Sequence, residues 1–178
     1  MDSNFKAEAY IGLGSNLAQP VQQLKSAVNA LSRQPSIKVQ TCSSLYQTAP
    51  IGPQDQPDFV NAVLLLRTDL SPQALLELCQ ALEQAHGRLR SGAVWGPRTL
   101  DLDILLYRTR SIAEEPWLQI DTETLHLPHP QLEKRAFVLK PLLEIAPTLS
   151  LIPGQPLIDL LPLLADQGIK KLDEALAG

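Results

Sequence analysis

The chain has 178 residues, 44% of them hydrophobic and 19% charged, with a formal net charge of −4 at pH 7. This length and composition suit a single domain spanning 1–178 with a proper apolar core. The mildly acidic balance speaks against broad attraction to nucleic acid or to a membrane surface.

Residues 1–7 are polar and read as a loose tail. Ala9–Leu13 reads as a first strand running into Gly14-Ser15-Asn16. Gly12-x-Gly14 lacks the third glycine of a dinucleotide loop and the Lys-Ser/Thr of a P-loop, so its plain role is a strand-to-helix turn. Pro20 suits the first turn of a helix whose stripe of Val21, Leu24, Ala27, Val28 and Leu31 runs to Ser32. Ile37–Tyr46 and Phe59–Thr68 read as the second and third strands. Ser71-Pro72 supplies an N-cap and a first-turn proline for a helix carrying Leu75, Leu76, Leu78, Leu82 and Ala85, ending near Gly87. A fourth strand covers Thr99–Tyr107. This order predicts an α+β fold: a ferredoxin-like split βαββαβ core with a mainly antiparallel sheet and helices packed on it. Ile112–Leu127 is expected to add a hairpin, Pro130–Ile145 carries a helical stripe, and 154–178 reads as a C-terminal helical extension interrupted by Pro162 and Gly168.

The stretch Leu100-Asp-Leu-Asp-Ile-Leu-Leu106 has the two-residue period of a strand, so Asp101 and Asp103 share one face. Two carboxylates ~7 Å apart along a strand repel each other unless a cation or donors lie between them. Mg²⁺ uses carboxylate oxygens and keeps its other positions for water and phosphate. Trp95-Gly96-Pro97 presents Arg98 beside the pair, an arrangement suited to a polyphosphate. The competing reading is a solvated strand face with Arg98 as a surface partner. Aspartate is disfavoured inside strands, which tilts the balance towards metal.

Arg88, Arg90, Arg98, Arg108 and Arg110 crowd into one region, as a local anion pocket would require. Arg88 and Arg90 stand where a helix dipole favours cations, or alternatively in an arginine-bearing loop, 87–97, that closes on phosphate. Thr48–Asp58 holds three prolines and a glycine, a constrained loop that can offer backbone groups to a flat polar heterocycle. Phe59 and Asn61 share a strand face beyond it; they serve either as core and hairpin residues or as a stacking ring and a hydrogen-bonding amide. His129, between Pro128 and Pro130, reads first as a structural residue, and His86 and His126 carry weaker signals. Cys42 and Cys79 form neither a disulfide framework nor a metal cluster. With no leader-like N-terminal segment and no apolar run near the ~20 residues that span a bilayer, a cytoplasmic protein is expected.

Taken together, Gly12-Leu-Gly-Ser-Asn-Leu17, Thr48–Asn61, Gly87-Arg-Leu-Arg90, Trp95–Asp103 and Leu127-Pro-His-Pro130 resemble the 6-hydroxymethyl-7,8-dihydropterin pyrophosphokinase family of folate biosynthesis, in order from about residue 9 to 150. The resemblance implies a ferredoxin-like enzyme that binds ATP with two Mg²⁺ ions and transfers pyrophosphate to the pterin hydroxymethyl oxygen, releasing AMP. It implies metal ligands at Asp101 and Asp103. A pterin site is implied at Thr48, Ala49, Ile51, Phe59, Asn61 and Phe137, with Trp95 on the closing loop. A nucleotide site is implied at Gln80, Glu83, Arg88, Arg98, Ile104, His129 and Arg135, with Arg90 engaging after closure. The implied partners are small molecules, and the implied state is a monomer, with a weak dimer as the alternative. The chain departs from the family pattern at Thr124, His126 and Pro130, and Glu114–Asp121 reads as an insertion. Two rival readings are a Mg²⁺-dependent kinase or nucleotidyltransferase with another acceptor, and a non-enzymatic ferredoxin-like binding module. Scarce aromatics and negative charge disfavour an RNA-binding version of the latter.

Overall fold

The computed structural model describes residues 5–87, 97–110 and 116–176. Strand β1 (Ala7–Ser15) is followed by helix α1 (Pro20–Ser32), β2 (Ile37–Cys42), β3 (Ser44–Thr48), β4 (Phe59–Thr68), α2 (Pro72–Ala85) and β5 (Asp101–Thr109). These strands form an antiparallel sheet in the order β3-β4-β1-β5, with β2 also paired to β4. That is the expected split βαββαβ arrangement.

Strand alternation assigns the two faces. Ala9, Ile11, Leu13, Leu64, Leu66, Leu102 and Ile104 pack against Leu24 and Leu31 of α1 and Leu75 and Cys79 of α2. On the other face, Tyr10, Val63 and Leu105 meet a second layer. After β5 the chain forms the short ladder β6 (Ile120–Asp121) with β7 (His126–Leu127), then α3 (Ala136–Ile145), the ladder β8 (Ser150–Ile152) with β9 (Gln155–Pro156), a 3₁₀ helix (Leu157–Leu164) and β10 (Ile169–Ala175). Leu139, Leu142 and Leu143 of α3 and Leu157 complete this second core.

Four expectations change. The tail is anchored from residue 5: Phe5 is buried, Lys6 N–H donates to Asp69 (3.1 Å), and Ala7 already belongs to β1. The second strand breaks at Ser43, which exchanges bonds with Val63 through its own N–H (2.8 Å) and its Oγ (2.9 Å). The segment from Pro130 turns irregularly and becomes helical only at Ala136. There Gln167 accepts from the Ala136 N–H and donates to the Lys134 carbonyl, both at 2.9 Å. Of the expected helical extension of 154–178, only the 3₁₀ helix Leu157–Leu164, with Pro162 inside it, is helical; the rest includes strand β10 on the open edge of β3, pairing Ile169 with Thr48 and Lys171 with Tyr46. An unpaired sheet edge offers backbone partners that a local helical stripe does not reveal. No helix among the described residues is long and apolar enough to cross a membrane.

Ser43→Ala leaves the buried Val63 N–H without its acceptor. A loss of about 1–3 kcal/mol is expected, read as a lower urea midpoint at unchanged slope.

Candidate active site

Pairing register places one row of residues across four strands. Tyr46 on β3 faces Asn61 on β4, Asn61 faces Gly14 on β1, and Gly14 faces Asp101 on β5. The next row runs from Val63 through Gly12 to Asp103. Directly opposed residues project to one face, so Asn61, Val63, Gly12, Gly14, Asp101 and Asp103 form the floor of a cavity of about 280 Å³ on the α3 side of the sheet. The glycines keep it open. A Cβ on Gly14 would lie 3.1 Å from Asn61 Oδ1, and one on Gly12 would lie 3.4 Å from Leu105 Cδ2. The expectation that Gly12-x-Gly14 forms a strand-to-helix turn is therefore corrected: both residues lie inside β1.

The β3–β4 loop builds one wall with Thr48, Ala49 and Ile51, joined by Phe59, and α3 adds Phe137. Asn61 donates through Nδ2 to Thr48 Oγ1 at 3.0 Å, which fixes the amide orientation and leaves Oδ1 towards Gly14. Arg98, Asp101, Asp103, His129 and Arg135 line the cavity's charged side. Arg98 Nη1 donates to Asp101 Oδ2 at 2.6 Å, and the Arg135 guanidinium lies 5.6 Å from the Phe137 ring centroid. The 116–129 segment delivers His129 by lying along the outer edge of β5. Leu118 N–H donates to the Tyr107 carbonyl (2.8 Å) and His129 N–H to the Leu105 carbonyl (2.9 Å).

The charged side is electrostatically unbalanced. Asp103 lies in a concave floor, its side chain still 42% accessible. Burial, then Asp101 and Glu83, push its pKa up to about 7, against the opposing pull of Arg98 and Arg135. His129 Nδ1 accepts from the Gln131 N–H at 3.1 Å, so the neutral ring carries its proton on Nε2, 3.8 Å from Asp103 Oδ2. Burial and Arg135 lower the His129 pKa, favouring that neutral form. Among the described residues no three His, Cys, Asp or Glu side chains form a closed metal cage. Two adjacent carboxylates whose charge Arg98 and Arg135 only partly offset nevertheless fit Mg²⁺, which takes its remaining ligands from water and phosphate.

Three expected nucleotide contacts are not on this cavity. Ile104 alternates to the opposite face and packs in the α1/α2 core. Glu83 is buried on α2 and accepts from the Leu102 N–H at 2.9 Å, and Gln80 lies on the same helix. His126 pairs with Asp121 at 2.7 Å across the β6–β7 ladder, and His86 bonds Gln23. Arg88, Arg90 and Trp95 lie outside the described residues. Sequence reasoning gave no role to Asn16, which is 2% exposed and touches both sides of the cavity's rim. Its signal was its place in the Gly12–Leu17 motif, which marked the stretch without giving the asparagine a role.

A sequence model of the 7,8-dihydro-6-hydroxymethylpterin-pyrophosphokinase family matches residues 10–147. A Pseudomonas aeruginosa protein named 2-amino-4-hydroxy-6-hydroxymethyldihydropteridine pyrophosphokinase is 44% identical over 166 residues, covering 93% of this chain and 97% of the relative. The Haemophilus influenzae protein of the same name is 46% identical over 165 residues, covering 93% and 98%. Among solved structures, Plasmodium falciparum HPPK-DHPS superposes with a TM-score of 0.66 at 13% identity, covering 93% of this chain and 46% of that one. The last likeness speaks to the fold alone.

Asp103 tests the charge imbalance. Its pKa is raised above the ordinary 3.8, so the folded state binds the extra proton between pH 4 and 7 and stability falls as pH rises through that window. Asp103→Asn should then stabilise the ligand-free protein at pH 8 by about 1–2 kcal/mol, after discounting for water around the carboxyl, with the gain shrinking towards zero near pH 4. Equal urea midpoints for both proteins at pH 8 would count against it.

Proposed function

This chain belongs to the 7,8-dihydro-6-hydroxymethylpterin-pyrophosphokinase family, and we propose that its β3–β4 loop side holds the pterin while its Asp101–Asp103 side holds the polyphosphate of ATP. The reaction transfers pyrophosphate from ATP to 6-hydroxymethyl-7,8-dihydropterin in folate biosynthesis. The observation that carries the division of labour is the cross-sheet row. It sets an amide-and-aromatic end at Asn61 and Phe59 beside a carboxylate-and-guanidinium end at Asp101 and Arg98.

At the first end, Asn61 Oδ1 and its second amide N–H complement the donor–acceptor edge of a pterin, and Phe59 and Phe137 offer ring faces. Backbone groups of Thr48, Ala49 and Ile51 serve the remaining edge. At the second end, Arg98 and Arg135 offset charge on the phosphates, and the Nε2–H of His129 donates to a phosphate oxygen. Two Mg²⁺ ions held by Asp101 and Asp103 would supply charge neutralisation of the triphosphate. The hydroxymethyl oxygen attacks the β-phosphorus in line. A new O–P bond forms, the bridge to the α-phosphate breaks with its electron pair leaving on AMP, and the hydroxyl proton is released. The protein forms no covalent bond and contributes alignment and electrostatics.

Gln80, Glu83 and Ile104 are proposed to act from behind β5, through its backbone. Arg88, Arg90 and Trp95, outside the described residues, are proposed to act on the phosphates and the pterin as the resemblance implies. Two free thiols fit a reducing cytoplasm, and the small substrates require no macromolecular partner, consistent with a monomer.

Incubation with ATP, Mg²⁺ and the dihydropterin should yield AMP rather than ADP; ADP formation would favour an ordinary kinase. Asp103→Ala should lower turnover by at least a hundredfold, comparable to about 3 kcal/mol of lost transition-state stabilisation, while far-UV circular dichroism stays unchanged. Near-normal turnover would end the metal assignment. Asn61→Ala should weaken pterin binding by about 1–3 kcal/mol and leave nucleotide binding alone, as calorimetry with each ligand would read.

A further inference from the structure

The charged end of the cavity and the loop end stand at opposite ends of one row on the same face of the sheet. Three strand spacings, roughly 14 Å, separate β3 from β5. Phosphoryl transfer tolerates little misplacement between acceptor and phosphorus, so these two ends need a fixed mutual position. One buried side chain spans the rim between them. Asn16 Oδ1 accepts from the Arg98 N–H at 2.8 Å, and the Asn16 N–H donates to the Arg98 carbonyl at 3.0 Å. Asn16 Nδ2 donates to Gln56 Oε1 and to the Pro57 carbonyl, both at 2.9 Å.

Each half it joins is itself stiff. The 49–58 loop is closed on itself by Gln54, which donates to the carbonyls of Pro50 and Gly52 at 2.9 Å, and by Gln56, which donates to Pro53 at 3.0 Å. Apart from these bonds most of the loop is exposed, and Gln56 is its half-buried point of attachment. On the other side, Arg98 is held through both backbone groups, so its guanidinium is aimed at Asp101 from a fixed base. Neither Gln56 nor Asn16 lines the cavity.

We propose that Asn16 is a positioning residue that holds the acceptor loop in register with the Arg98–Asp101 phosphate end. This rests on the assignment of pterin and polyphosphate given above. Asp at this position keeps the acceptor for the Arg98 N–H and loses both donors to the loop, so Asn16→Asp cuts one tie and spares the other. Expected are a tenfold or greater rise in dihydropterin KM and a tenfold or greater fall in turnover at saturation. Affinity for α,β-methylene-ATP with Mg²⁺ should change less than threefold. Gln56→Leu, on the half-exposed loop side, removes one of the two loop acceptors without touching the buried asparagine, and should raise dihydropterin KM three- to fivefold with ATP-analogue affinity unchanged. It carries the test if Asn16→Asp does not fold. Wild-type dihydropterin KM and turnover in a folded Asn16→Asp protein would overturn the proposal. So would parallel losses for both ligands that follow the fall in melting temperature, or an unaffected Gln56→Leu protein when it alone can be measured. Failure of the wild-type protein to form AMP would instead overturn the substrate assignment.

Discussion

Repulsion among carboxylates organises this molecule. Asp101 and Asp103 project from one face of β5, and Glu83 adds its charge from α2 behind the strand. Their neighbours only partly compensate: Arg98 pairs with Asp101, while Asp103 is left with a pKa pushed up to about 7. A cluster in this condition gains free energy from a bound cation, and the cation in turn gains from phosphate oxygens. The ligand-free fold therefore holds two carboxylates under a repulsive strain that a bound cation would relieve.

Holding that strain in place requires a rigid frame, which the antiparallel sheet provides. Cross-strand register converts positions far apart in sequence into neighbours, so Asn61, Gly14 and Asp101 form one line. The centre of that line must be empty for a ligand to lie across it, and glycine at 12 and 14 leaves it so. Packing on the two faces differs accordingly. The α1/α2 face is a continuous aliphatic core, whereas the α3 face is aliphatic only beyond the cavity, around Leu139 and Leu142.

The segment after β5 also acts through the sheet. Its 116–129 stretch satisfies outer-edge carbonyls of β5 and ends at His129, whose ring then faces Asp103. Trp117 anchors the same stretch: its ring meets Tyr10 edge-on with centroids 5.7 Å apart, and the Arg108 guanidinium lies 4.4 Å from its centroid. The backbone bonds and the buried Trp117 and Leu127 carry this delivery.

By itself the sequence determined the features that depend on local periodicity and short motifs. The two-residue alternation of Leu100–Leu106 placed Asp101 and Asp103 on one face, prolines and glycines marked the 48–58 loop, and the order of elements announced the split βαββαβ core. Asn61 and His129 were ambiguous from the residues alone, the one divided between a hairpin and a binding role and the other read first as structural; the fold puts both on the cavity. Tertiary structure decided what depends on register and on free edges. The role of Gly12 and Gly14 as an open floor appears only when β1 is paired between β4 and β5. Ile104 and Glu83 face away from the cavity because alternation and helix packing send them to the other layer. The last segment became a strand because β3 offered an unpaired edge, which outweighed a local apolar stripe. Asn16 acquired its meaning only when Arg98 and Pro57, 82 and 41 positions along the chain, arrived on either side of its amide.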